Sequence, residues 1–279
     1  MPDAAAADGA ILADASALDA GQPAPDGSCA GAILCEDFEE AGVGSPPAGW
    51  LTTMNGGTVA VDATRARSGA HSVMFSAAAA TGFRSVLMGW QRSLPTPANV
   101  VFGRMMFWLD SAPTNTVHWT FVDGTGLVPD GGYHAVYRYG GQLPLTAADG
   151  GFLGNQMMAN YDTPDSYKSS PVGPASDCYQ HAQGRVVPVQ TWTCLEWEFD
   201  GAADTMHMWI DGVEAPDLTV LQTGTGCTQQ PSGFEWTAPR FQRIDLGWES
   251  YQADDARTIW IDDVALATSR IGCPSLADE

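Results

Sequence analysis

Hydrophobic and polar residues alternate with a period of two between residues 192 and 212. Leu195, Trp197 and Phe199 point to one side of an extended chain, and the residues between them are glutamates. The alternation resumes after a short polar turn at residues 200–204. This pattern predicts a β-hairpin with one buried face. Because two strands cannot bury a face by themselves, other parts of the chain must cover this hairpin.

The rest of the chain holds many short segments of the same kind, separated by turns rich in the 31 Gly and 18 Pro residues. No segment shows a convincing helical period. The pattern predicts an all-β fold in which two antiparallel sheets form a sandwich or jelly roll. We also predict a long loop from Thr163 to Val189, and a long loop within a compact domain is usually functional.

Residues 1–28 are dominated by Ala, Asp, Gly and Pro and offer little to bury. They predict a disordered tether ahead of one domain at residues 29–279. Such a lead is typical of the segment that follows a removed export signal or a lipoprotein anchor, in which case Met1 is an addition made for expression. We therefore expect a secreted or surface-tethered protein.

The charge is strongly acidic, with 33 Asp and Glu against 12 Lys and Arg and a net charge of −21. Nucleic acids and anionic membrane surfaces need a basic footprint, so the balance disfavours both as partners. No apolar run approaches the roughly 18 residues that a membrane span requires. We expect a monomer.

The six cysteines include no C-x-x-C pair. This usage predicts disulfides in an oxidising compartment rather than a zinc site. Sequence alone leaves 15 possible pairings for six cysteines. Proximity and strand ends favour three pairs, namely Cys29–Cys35, Cys178–Cys194 and Cys227–Cys273.

Motifs near the two ends of the chain carry a family resemblance: D-F-E at residues 37–39, G-W at 49–50, S-G-A-H-S at 68–72 and I-D-D-V at 261–264. The set resembles the concanavalin A-like jelly rolls of polysaccharide-active proteins, such as the glucuronan lyases and the cellulose-induced, lyase-like secreted proteins of fungi. The resemblance implies a structural calcium ion held by carboxylate and backbone oxygens, which calcium prefers. Carried over by position, its ligands are Glu39, Ser68, His71 and Asp263.

An internal motif, Y-R-Y-G-G-Q at residues 137–142, extends the resemblance. Similar lyases place an Arg and a Gln four residues apart on the concave sheet, downstream of an active-site His. Arg138 and Gln142 have this spacing, and His118 lies upstream. The resemblance thus implies a polysaccharide lyase with a polysaccharide as its partner, although it does not name the sugar.

A lyase that cleaves a uronic-acid chain must neutralise the sugar carboxylate, remove the C5 proton and protonate the departing oxygen. Arg138 is a suitable partner for the carboxylate, and His118 is a suitable base. Gln142 is a candidate neutral donor, and Tyr251 a candidate acid, with Tyr137 as the alternative. The candidates for substrate contact are Tyr137, Asn155, Asn160, Tyr161, Asp162, His181, Trp248 and Glu249.

Two other functions fit the same sequence. A glycoside hydrolase needs two carboxylates about 5–10 Å apart, and Glu196 and Glu198 share one strand face. A binding protein without catalysis needs stacking platforms for sugar rings, which Trp90, Trp209 and Trp248 could form. The net charge also opposes a polyanionic substrate, although salt screens charges beyond about 8–10 Å.

Overall fold

A computed structural model describes residues 28–163 and 173–274. Almost all of its regular structure is β-strand, with one short 3₁₀ turn at Pro216–Leu218. The strands are β1 (Leu34–Glu36), β2 (Leu51–Asn55), β3 (Gly57–Asp62), β4 (Ser72–Ala77), β5 (Arg84–Trp90), β6 (Val100–Leu109), β7 (Trp119–Leu127), β8 (His134–Thr146), β9 (Phe152–Asp162), β10 (Asp177–Val186), β11 (Thr193–Asp200), β12 (Thr205–Ile210), β13 (Val213–Glu214), β14 (Val220–Leu221), β15 (Gly226–Cys227), β16 (Arg243–Ser250) and β17 (Arg257–Ala267). Within these ranges no helix has the length and apolar character needed to cross a membrane.

The strands form two sheets. The back sheet has the order β13-β12-β11-β6-β17-β4-β3, with β1 beside β17 and β14 beside β12. The front sheet has the order β15-β10-β9-β8-β7-β16-β5-β2. Neighbouring strands are antiparallel, for example β7 with β8 and with β16. The predicted all-β sandwich of two antiparallel sheets is confirmed.

The core lies between the two sheets. Leu195, Trp197 and Phe199 are fully buried there, as the alternation predicts. Gly103, opposite Trp197 across β6 and β11, has no room for a side chain, because an added Cβ would lie 2.0 Å from the Trp197 ring. The core side of β6 and β11 is therefore filled by packing.

The long loop predicted from Thr163 to Val189 is wrong in its second half. Residues 177–186 form β10, which pairs with β9 in the front sheet. Cys178 and Ala182 of β10 lie in the core. The alternation of a strand is therefore present in this segment, but its apolar side chains are few and small. Most of the first half of the loop lies outside the described residues.

Three disulfides join the described residues: Cys29–Cys35, Cys178–Cys227 and Cys194–Cys273. The first predicted pair is confirmed, and the other two are wrong. Cys178 lies directly opposite Cys227 in the register of β10 and β15, so strand pairing and not sequence proximity selects the partner. Three disulfides are typical of an exported protein. The predicted tether lies outside the described residues, apart from Ser28.

Candidate functional site

The front face, meaning the side of the front sheet that points away from the core, collects most of the predicted catalytic residues. In β8 the side chains of Tyr137 and Tyr139 enter the core, so Arg138 between them points to the front face. His118 immediately precedes β7, and Tyr251 immediately follows β16. Since β8, β7 and β16 are consecutive in the sheet, these three residues meet although they are far apart in sequence.

Arg138 is the cation at the centre of the site. Its Nη1 donates to Asp162 Oδ2 at 2.7 Å and to Asn160 Oδ1 at 3.3 Å, and its Nη2 donates to Glu249 Oε1 at 3.5 Å. Burial lowers the pKa of Arg138, but the acidic groups around it outweigh burial and raise the pKa well above its ordinary value. The guanidinium is a fixed positive charge.

His118 and Tyr251 lie side by side next to this cation, with ring centroids 4.9 Å apart. The His118 Nε2 atom is buried and has no hydrogen-bond partner among the described residues. Burial, Arg138 and His181 together lower the pKa of His118 to about 3. The imidazole is therefore neutral and able to accept a proton.

Tyr251 is suited to donate a proton, whereas His118 is suited to accept one. Its hydroxyl donates a short hydrogen bond to Glu249 Oε1. Burial raises the pKa of Tyr251 well above its ordinary value, and Glu249 adds to the effect against the opposing influence of Arg138. The phenol therefore keeps its proton at neutral pH and is able to donate it.

Gln142 and His181 border the same site. The His181 Nε2 atom lies 2.9 Å from Gln142 Oε1, and the His181 ring contacts Tyr179 at a centroid distance of 4.6 Å. Burial lowers the pKa of His181. Asn160 is held by donation of its Nδ2 to Asp177 Oδ1 at 2.8 Å, so its Oδ1 faces Arg138.

Four predicted substrate contacts do not agree with the structure, because their side chains lie on the core side of the front sheet. The residues concerned, all without exposed surface, are Tyr137, Asn155, Tyr161 and Trp248. Trp248 stacks on Trp119 at 4.7 Å, and Asn155 accepts a hydrogen bond from the same indole. Residue type alone nominated them, whereas the alternation along each strand places them inside.

The carboxylates and indoles of the two alternative functions are engaged elsewhere. Glu196 lies in the back sheet, where it accepts hydrogen bonds from Arg270 at 2.8 Å and from the Gly272 backbone at 2.8 Å. Trp209 is buried beneath Arg270. Trp90 packs on Trp50 with ring centroids 5.3 Å apart. None of these groups lies beside Arg138 on the front face.

The four predicted calcium ligands lie along the loop at residues 68–71 and the two segments that contact it, beside the back sheet. Glu39 Oε1 accepts backbone hydrogen bonds from Ala70 at 2.9 Å and from His71 at 2.8 Å. Ser68 Oγ donates to Asp263 Oδ1 at 2.8 Å. The donor set consists of hard oxygen atoms from two carboxylates and one loop, which fits calcium.

The neighbouring Asp262 strengthens this fit. It is fully buried, and burial together with the adjacent Asp263 raises its pKa to about 7. Two adjoining carboxylates of which one is buried repel each other, and a bound cation would remove that repulsion.

A family described as polysaccharide-lyase-like, Cip1-like core domain matches residues 41–269. The chain belongs to this family. The match confirms the resemblance inferred from the terminal and internal motifs, and it places the chain among carbohydrate-active, polysaccharide-lyase-like proteins. A search of curated proteins finds no match.

Solved structures show the same fold for this Cip1-like domain. The cellulose-induced protein Cip1 is 22% identical, with a TM-score of 0.56 over 86% of this chain and 99% of the other. The alginate lyase Aly36B is 11% identical, with a TM-score of 0.45 over 86% and 98% of the two chains. The similarity to Cip1 concerns the fold alone, and the second score is too low to add to it.

Sequence reasoning missed two front-face residues of the Cip1-like domain, Asp123 and Asp245. They are 6% and 5% exposed and lie opposite each other in the register of β7 and β16. Asp123 is also opposite Arg138 in β8. Each is a carboxylate at an outward-facing position of a largely apolar strand, which is the signal that could have identified them.

Proposed function

We propose that this Cip1-like domain is a polysaccharide lyase that cleaves a uronic-acid-containing chain by β-elimination. The observation that carries the proposal is geometric. The rings of His118 and Tyr251 lie 4.9 Å apart beside the Arg138 guanidinium, and the buried His118 Nε2 has no hydrogen-bond partner among the described residues. Elimination needs a base, an acid and a group that binds the uronate carboxylate, and this set supplies one of each.

His118 acts as the base in this proposal. Its low pKa in the free protein reflects burial and the positive charge of Arg138. A uronate carboxylate bound to Arg138 offsets that charge, so the pKa of His118 rises when substrate binds. The Nε2 atom then accepts the C5 proton, and the electron pair left at C5 forms the double bond to C4.

Tyr251 acts as the acid in the same step. The C4–O bond breaks as the double bond forms, and the departing oxygen takes the phenolic proton of Tyr251. Glu249 accepts the hydrogen bond of this phenol and thereby orients it. Arg138 stabilises the negative charge that develops on the carboxylate, and its buried Nε has no partner among the described residues.

Glycan binding without catalysis is the second candidate. It is favoured by the ion pairs of Arg138 with Asp162 and Glu249, which already balance the charge of the guanidinium. A balanced cation suits recognition of sugar hydroxyl groups as well as of a carboxylate. The two functions differ in whether an unsaturated product forms.

The test of the proposed function is an absorbance assay for unsaturated uronate. Polymers of glucuronic, galacturonic, mannuronic and guluronic acid are each incubated with the protein. We expect rising absorbance on at least one polymer and none on a neutral glucan. A flat trace on every polymer, with retardation of the protein in gels that contain glycan, would replace the lyase by a binding module.

We also propose that the cluster of Glu39, Ser68, His71 and Asp263 binds a structural calcium ion. The ion would connect the segment after β1 to β17 and would take no part in the elimination, because the cluster borders the back sheet. Its role would be to hold the two ends of the domain together.

We expect calcium to stabilise the protein. A ligand at 100 times its Kd adds about 2.7 kcal/mol, which corresponds to about 5–10 °C in melting temperature for a domain of this size. Differential scanning calorimetry after chelation and after calcium is restored measures the shift. The Glu39→Gln variant should lose the calcium response, whereas Asp149→Asn, an exposed turn substitution with the same charge change, should keep it. An equal response in both variants would contradict the site.

A further inference from the structure

A row of charged residues crosses the floor of the front face. Asp245 in β16, Asp123 in β7 and Arg138 in β8 are direct cross-strand neighbours. All three are at most 6% exposed. Side chains opposite each other in antiparallel strands are about 5 Å apart at Cβ, so each member of the row interacts strongly with the next.

The ion pairs of this row are distributed unevenly. Asp245 Oδ1 lies 2.5 Å from Arg243 Nη2 and accepts a hydrogen bond from Arg243 Nε at 2.7 Å. Arg138 is occupied by Asp162 and Glu249. Asp123 stands between the two cations and forms no ion pair with any described residue. Of the two aspartates in the row, Asp123 is therefore the one whose negative charge would be less well compensated.

Two opposed, buried carboxylates cannot both be ionised without a large cost, so such a pair retains one proton. Burial raises the pKa of Asp123 well above its ordinary value, Asp245 and Glu249 raise it further, and Arg138 and Arg243 oppose them. Burial raises the pKa of Asp245 only to about 6, against the lowering effect of Arg243. Asp245 has an ion pair with Arg243 whereas Asp123 has none among the described residues, so the shared proton favours Asp123.

Unpartnered polar atoms beside the row indicate that a polar ligand completes it. Thr120 Oγ1, Arg138 Nε and Asp162 Oδ1 are buried without a hydrogen-bond partner in the described part of the chain. Thr120 is 1% exposed and lies opposite Glu249, three residues before Asp123. Buried polar atoms normally have partners, so water or a ligand must meet these groups.

We propose that Asp123, kept protonated by Asp245, donates a hydrogen bond to the same uronate carboxylate that Arg138 binds. The inference rests on the proposed function and adds to it the second donor for the carboxylate. The positive charge of Arg138 neutralises the uronate carboxylate. Protonated Asp123 adds a hydrogen bond without adding a negative charge that would repel the sugar. This arrangement lets a protein of net charge −21 bind an anionic sugar.

The proposal predicts that uronate affinity falls as pH rises. Ionisation of Asp123 removes the donor and places a negative charge beside the substrate carboxylate. The groups that face Asp123 are Asp245, Glu249 and Arg243 of β16 and Arg138 of β8. Arg138, whose pKa is raised well above its ordinary value, keeps its charge over the range, so the dependence is assigned to the pair of Asp123 and Asp245.

Isothermal titration calorimetry provides the test, with tetrasaccharides of the four uronic acids and their carboxyl-reduced counterparts as probes. Between about pH 6 and about pH 9 we expect the uronate Kd to rise 10-fold or more, and the Kd of the reduced probe to stay constant. Asp123→Asn keeps a neutral donor, so its affinity should be retained and independent of pH. Asp123→Ala should bind weakly at every pH, and Asp149→Asn should behave as the parent.

A second variant tests the proton-sharing partner. Without the negative charge of Asp245, Asp123 ionises at lower pH, so Asp245→Asn should lose affinity at a lower pH than the parent. Uronate binding that is independent of pH in the parent, or equally pH-dependent in Asp123→Asn, would overturn this inference and leave the lyase proposal intact. Binding without an unsaturated product would overturn the elimination alone, and no uronate binding at any pH would overturn both.

Discussion

Replacing His118 by glutamine is expected to lower kcat for uronate cleavage about 10³-fold, in the middle of the range found for the loss of a general base. Glutamine keeps a polar side chain of similar size but cannot accept the C5 proton. The Tyr251 ring and the Gln252 side chain, which accepts a hydrogen bond from the His118 backbone at 2.6 Å, remain as partners. Binding of a uronate tetrasaccharide should therefore change little while turnover is lost.

The pH profile gives a second test of the same assignment. The base must be unprotonated, and burial with nearby Arg138 lowers the pKa of His118 to about 3. The contribution of His118 to kcat/KM is thus lost only as pH falls toward that value, and not near the ordinary histidine value of about 6.5. His207→Gln, on β12 of the back sheet, is the matched control and should retain full activity. Retention of more than about a tenth of parental kcat by His118→Gln would exclude His118 as the base.

Replacing Arg138 by methionine is expected to lower stability and abolish uronate binding together. Removal of one partner from a buried charge network leaves Asp162 and Glu249 buried and uncompensated, which costs about 3–5 kcal/mol. For a domain of this size the melting temperature should fall by about 10 °C. Differential scanning calorimetry measures the first effect and titration with a uronate tetrasaccharide the second.

Two further variants separate the structural and binding roles of Arg138. Adding Asp162→Asn to Arg138→Met removes one uncompensated carboxylate, so part of the stability should return while uronate affinity does not. Arg185 provides the matched control, since it pairs with Asp217 at 3.0 Å but has a side chain that is 36% exposed. Its methionine variant should cost less than about 1 kcal/mol. An equal loss in both methionine variants would contradict a special role for Arg138.

The local pattern of the chain predicted the strands but not which of their residues form the candidate site. Alternation placed Trp197 and Phe199 in the core, and the structure confirms it. Applied to β8, the same alternation separates Arg138 from Tyr137: the phenol of Tyr137 suits a catalytic acid, but its position in the strand places it in the core. The family resemblance implied His118, and the need for an acid in the elimination suggested Tyr251. No local pattern distinguishes either residue from other residues at strand ends.

The opposition of Asp123 and Asp245 could not be predicted from the sequence. Asp123 and Asp245 lie in strands far apart along the chain, and only the register of β7 against β16 places them opposite each other. The pKa shift of Asp123 depends on burial and on that pairing. Neither the burial of a carboxyl group nor its cross-strand partner can be read from the sequence of a single strand.

The sequence by itself determined that the chain forms half-buried strands, that it is acidic and that its six cysteines suit an oxidising compartment. These properties are local or compositional, because side-chain alternation and charge are carried by each segment alone. The tertiary structure decided which strands are neighbours, which cysteines pair and which carboxyl groups lie opposite each other. Those outcomes depend on sheet order and register, which arise when distant segments bury a common core.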